Sequence, residues 1–193
     1  MHYAAHKNRI NRLLAAWLML TLMLSALCLP AAALEDPTTP YTENAIVYNI
    51  DFGKVMYEEN ADAPVYPAGT VKIMTALLTL ENYEDMSAPI TVTDEMIDGI
   101  TGNTAGFKSG EEVAVRDLLA ALVVSNSNDA ACILATAIAG DIPAFVDKMN
   151  ARAAELGMES TEYLNPTGIH HDRMTTTARD VMKVSAEAMK YQL

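Results

Sequence analysis

The sequence predicts an α+β domain, one β-hairpin followed by about five helices. A strand–turn–strand pattern opens at Ala45. Apolar residues then recur at helical spacing in five later segments. Hydrophobic residues make up 51% of the 193 positions and charged residues 20%, which is enough apolar surface for a core and too much for a disordered chain.

The first segment is set apart by its composition. Lys7, Arg9 and Arg12 precede the apolar run Leu13–Leu29, and Pro30 with Ala31-Ala32-Ala33 follows. A basic start, a short apolar middle and small residues at the cleavage positions predict a secretory signal peptide over 1–33, hence an exported, extracytoplasmic protein. Cleavage after Ala33 removes Cys28 and three basic side chains. That leaves 10 basic against 25 acidic residues, a net charge of −15. Residues 34–43, with Pro37 and Pro40, read as a flexible lead-in, and 44–193 as the domain.

Within the domain, Ala45–Ile50 and Val55–Tyr57 read as strands joined by a turn at Asp51–Lys54. A helix pattern begins near Ala68. Val71, Met74, Leu77 and Leu78 share a face with Glu81, and the helix is apolar enough to be central and buried. Pro89–Thr93 is a short extended piece, Thr93 is a candidate cap for Asp94–Met96, and Gly99–Gly110 is loop. Helices follow over Val115–Val124, Asp129–Ala139 and Pro143–Leu156. The last has proline in its first turn and Gly157 past its end. Thr161–Leu164 is extended, Asn165–Gly168 is a turn, and a final helix runs over Thr177–Lys190 with Thr175 or Thr176 as cap. A single hairpin rarely makes a stable sheet, so a covering helix or further strands are required.

Several function classes are excluded. With 25 acidic and 13 basic side chains, the chain lacks the basic footprint of a nucleic-acid binder. Two cysteines are too few for a disulfide scaffold, and no Cys/His cluster has zinc spacing. Cys132, in the run Ala130–Leu134, reads as a small buried hydrophobe. His170-His171-Asp172 reads as a solvated loop, and no cofactor is expected.

Three segments carry a resemblance. The first is Tyr66-Pro67-Ala68-Gly69-Thr70-Val71-Lys72-Ile73-Met74-Thr75. The second runs from Gly110-Glu111-Glu112 through Asp117-Leu118-Leu119 to Ser125-Asn126-Ser127-Asn128-Asp129. The third comprises Met149-Asn150, Leu156-Gly157-Met158 and Asn165-Pro166-Thr167-Gly168. Together, in unbroken order from about residue 44, they resemble the D-alanyl-D-alanine carboxypeptidases of the serine penicillin-binding class, the S11 peptidase family. The resemblance implies a β-lactamase/transpeptidase-like fold. It also implies a serine acyl-enzyme mechanism acting on peptidoglycan stem peptides that end in D-Ala-D-Ala.

The motifs of that class are S-x-x-K, S-x-N and K-T-G. Residues three apart share a helix face, so the serine and lysine of the first motif meet, and the lysine acts as base. Here the resemblance places Lys72 at the base position but Gly69 at the nucleophile position, where no side-chain atom exists to attack. Thr70 is two residues from Lys72, about 200° round a helix, on another face. In the second motif the serine position falls on Asn126, whose amide cannot shuttle a proton as a hydroxyl does. Asn128 keeps the motif's asparagine and is expected to hold a substrate carbonyl; a plain helix N-cap is the other reading of this residue. No Lys-Thr-Gly follows Asn128 within the 193 residues. In the family that motif lies on one of the sheet's remaining strands, which a continuing chain or a partner would have to supply. The expectation is a carboxypeptidase-like domain that is inactive as written and is not acylated by β-lactams. The alternative is a non-catalytic module that binds cell-wall peptide or another protein.

Overall fold

The computed structural model describes residues 17–19 and 43–191. Residues 1–40 and 41–193 form separate units, and the described part of the first, Trp17–Met19, is helical. The remaining signal-peptide and lead-in positions lie outside the described residues.

The second unit opens with the expected hairpin. β1 (Ala45–Asn49) pairs antiparallel with β2 (Lys54–Glu59), with a bulge where the register shifts between Val47 and Tyr48. The Asn49 side chain closes the turn by accepting from the Phe52 N–H at 2.9 Å. A single 3-10 turn, Ala68–Thr70, leads into α1 (Val71–Asn82), so the regular helix starts three residues later than the periodicity predicts. Pro67 and a left-handed Ala68 (φ +46°) delay it.

A second antiparallel pair, β3 (Pro89–Thr91) with β4 (Glu112–Ala114), brackets α2 (Asp94–Ile97) and the glycine-rich loop. Neither β4 nor this pairing was expected. Thr93 stands at the N-cap of α2, but its side chain makes no capping bond.

α3 (Val115–Val124), α4 (Asn128–Ala139), α5 (Ile142–Glu155) and α6 (Ala178–Ala188) complete the unit. Side-chain caps explain where the last three start. Ser127, Asp141 and Thr177 accept from Ala130, Ala144 and Asp180 N–H respectively. The last helix is therefore capped by Thr177 rather than Thr175 or Thr176. Those two residues are used otherwise: Thr175 bridges to Glu162, and Thr176 to Val65.

α1 is the spine. It packs against α3, α4, α5 and α6, and it borders two cores. One gathers Val71, Met74, Leu77 and Leu78 with Phe145, Met149, Tyr163, Met174 and Val184. The other sets Ala76 against Val92, Leu118, Leu122, Ile133 and Leu134. Helices cover one side of the hairpin, through contact of β1 with α6. Glu81, placed by periodicity on the apolar face, sits at the margin of the core and pairs with Arg152 at 2.8 Å, which also holds Glu187.

Candidate active site

The site forms where the start of α1 meets the start of α4. Gly168 (φ +82°) lies against the 3-10 turn so closely that a β-carbon on it would sit 1.9 Å from the Ala68 carbonyl oxygen. Asn165 shapes this approach, its Oδ1 accepting from the Thr167 and Gly168 N–H groups at 3.1 and 2.7 Å. The result is that the Thr167 carbonyl faces α1.

Lys72 is 5% exposed. Its Nζ donates to the Asn128 Oδ1 at 2.8 Å and to the Thr167 carbonyl at 2.6 Å. Burial pushes its pKa below the ordinary lysine value, and the neighbouring Cys132 only partly opposes this. A surface role for Lys72 is thereby excluded. Asn128 is not the cap of α4: Ser127 is, and Asn128 is the first helical residue. The Asn128 Nδ2 donates to the Thr101 carbonyl at 2.8 Å, which leaves its Oδ1 for the lysine.

Gly69 is one turn before Lys72. The three atoms nearest to a β-carbon placed there all belong to the Asn126 side chain, with Oδ1 at 3.4 Å. Asn126 adopts φ +53°, a left-handed conformation that asparagine tolerates better than most residues. Its amide thus leans over the place from which a side chain at 69 would project. A cleft of about 400 Å³, bordered by Ala68, Gly69, Lys72, Leu122, Val123 and Asn126, opens here. Thr70 is no substitute nucleophile, because its hydroxyl donates to the Pro67 carbonyl at 2.6 Å.

Gly69, Lys72, Asn126 and Asn128, named from the sequence, are therefore brought together. Sequence reasoning missed the parts that hold them. The Asp129 carboxylate accepts from the Ala105, Gly106 and Phe107 N–H groups at 2.8–3.2 Å and from the Ser127 hydroxyl. This anchors the loop that delivers the Thr101 carbonyl. Burial opposes ionisation of Asp129, but the Ser127 hydroxyl and the three backbone donors outweigh it and hold the carboxyl below its ordinary range. Thr167 and Thr101 act through main-chain carbonyls, which carry no side-chain signature; only the Asn-Pro-Thr-Gly turn pointed to that region. Cys132 is partly buried, and its thiol is pushed up to about 11, by burial first and then by Asp129. At neutral pH it is a protonated, unreactive thiol. His170 pairs with Asp172 at 3.1 Å on the exposed loop, and among the described residues no group of three or more His, Cys, Asp or Glu could hold a metal ion.

A buried lysine at the start of one helix, facing an asparagine at the start of a second, is the frame of the penicillin-binding and transpeptidase class. Comparison with known proteins agrees. Residues 32–193 match the family of D-alanyl-D-alanine carboxypeptidases. The chain is 30% identical over 190 residues to the D-alanyl-D-alanine carboxypeptidase DacF of Bacillus subtilis, covering 96% of this chain and 49% of that protein. It is 31% identical to a D-alanyl-D-alanine endopeptidase of Pseudomonas aeruginosa, covering 97% and 61%. Among solved structures, a D-alanyl-D-alanine carboxypeptidase of Mycobacterium tuberculosis superposes with TM-score 0.72 at 30% identity, over 77% of this chain and 56% of that one. The chain belongs to the D-alanyl-D-alanine carboxypeptidase family. It spans about half to three fifths of the length of these relatives.

Proposed function

We propose that this chain is an exported domain resembling the carboxypeptidases that act on D-Ala-D-Ala stem peptides of peptidoglycan, and that it forms no acyl-enzyme. One observation carries the reading: the residue one turn before Lys72 is Gly69. In the family reaction a hydroxyl attacks the peptide carbonyl, the lysine takes its proton, and the terminal D-Ala leaves. Lys72 stands desolvated at the base position, but the residue one turn earlier presents no hydroxyl to it. Asn126 adds an amide where a proton-relaying hydroxyl would be needed.

The test is incubation of the 193-residue protein with a labelled penicillin, read by intact mass after denaturation. No adduct is expected; a stoichiometric mass shift would overturn the proposal. The β-carbon of Gly69→Ser would meet Asn126 at ordinary contact distance. Neither this change nor its combination with Asn126→Ser is expected to restore turnover, because the 193 residues hold no Lys-Thr-Gly after Asn128. Export has its own check. The secreted product should begin at Leu34, as read by N-terminal sequencing.

Peptide binding without turnover is the second reading, favoured by the intact Lys72–Asn128 pair beside the cleft. Calorimetric titration with an acetylated peptide ending in D-Ala-D-Ala should then saturate and weaken in Asn128→Ala. No heat at millimolar peptide removes this reading.

A further inference from the structure

We infer that Lys72 is itself a nucleophilic amine, open through the Gly69 cleft to small carbonyl compounds. The inference rests on the reading that Gly69 leaves the site without a hydroxyl, and it adds a chemistry which that reading does not contain.

The geometry is that of a pre-oriented amine. A neutral lysine nitrogen has two N–H bonds and one lone pair in tetrahedral array with its Cε. Both N–H bonds are taken up, by Asn128 Oδ1 and by the Thr167 carbonyl. Among the described residues Nζ makes no third hydrogen bond, so the lone pair of the neutral amine has no protein partner. Lys72 borders the cleft, and the side chain that would stand in front of the amine from one turn earlier is absent at Gly69. Burial further disfavours the ammonium form, so more of the amine is free to react than on a surface lysine. The partners are also fixed rather than adaptable. Asn128 is oriented by Thr101, and Thr167 by the Asn165 turn.

The reaction that follows is imine formation. The Lys72 lone pair attacks the carbonyl carbon of an aldehyde, and the π pair moves to oxygen. A proton passes from nitrogen to that oxygen, giving a carbinolamine. Loss of water then forms the C=N bond. The imine nitrogen takes a proton from water, and hydride from added cyanoborohydride then adds to the carbon, leaving a stable secondary amine.

The experiment uses the full chain with formaldehyde and cyanoborohydride, quantifying methylation of each lysine by peptide mapping from pH 6.5 to 9.5. At pH 7 about one in 2,500 ordinary lysine amines is neutral. Lys72 is expected to react faster than Lys54 or Lys108 at that pH, and to lose its advantage in urea. Gly69→Ser, which places a hydroxyl before the amine, should slow Lys72 several-fold. A Lys72 rate equal to or below that of Lys54 in the folded protein overturns the inference. An unchanged rate in Gly69→Ser overturns the part assigned to the cleft. The penicillin result separates the two proposals. A chain inert to penicillin with an unreactive Lys72 loses only this one, and a chain acylated by penicillin loses the reading beneath it.

Discussion

Gly168 is the residue least open to change. A methyl group there would stand 1.9 Å from the Ala68 carbonyl oxygen, on a backbone already at φ +82°. Gly168→Ala is expected to cost about 2–4 kcal/mol, from overlap and left-handed strain together, measured as a shift in the urea midpoint. Asp129 makes a pH prediction. Its folded pKa lies below the unfolded value of about 3.9, so its contribution to stability is complete above that value. The contribution disappears as pH falls through the lower, folded value. Urea unfolding between pH 6 and 2 should show stability falling below about pH 4. Asp129→Asn should be less stable at pH 7 and show a shallower fall in that window. Both residues lay within segments singled out from the sequence, yet neither role was visible there. A close backbone approach and a carboxylate received by a distant loop become apparent only when segments remote in the chain are brought together.

Among the elements, the helices were the most legible. α3 (Val115–Val124) was read with its observed bounds because Val115, Leu118, Leu119 and Leu122 keep a helical period. β4 went unread because three residues, Glu112–Ala114, carry no period at all; only pairing with β3 makes them a strand. The start of α1 was misplaced because propensity alone does not register the left-handed Ala68 that Gly168 packs against. Caps give the sharpest element-level expectation. Thr177 accepts the Asp180 N–H at 3.1 Å in a buried position, so Thr177→Ala should destabilise α6 by about 1 kcal/mol. Leu77, fully buried at the middle of α1, should cost about 2–5 kcal/mol when cut to alanine. Calorimetric melting would check both.

At the scale of the whole unit, the two halves of the architecture are unequal. The helices share α1 and close two cores about it, while the hairpin meets them through the contact of β1 with α6. Its apolar side chains Phe52 and Met56 remain 78% and 66% exposed, with Val47 and Val55 also in solvent contact. An apolar two-stranded ribbon invites strand-to-strand association. Met56→Lys is therefore expected to lower self-association in sedimentation velocity without lowering the melting temperature; unchanged association would place the contact elsewhere. Lys72 has the opposite character. Its two bonds span 56 and 95 residues of chain, tying α1, α4 and the Thr167 loop together at one nitrogen. Such a residue answers to two selective pressures, and only one of them concerns turnover. Once the attacking oxygen is lost, pressure on catalysis lapses, but a substitution at Lys72 or Asn128 would still strand buried polar groups. On the function proposed above, Lys72 and Asn128 are held by the packing of three segments, whatever becomes of the reaction.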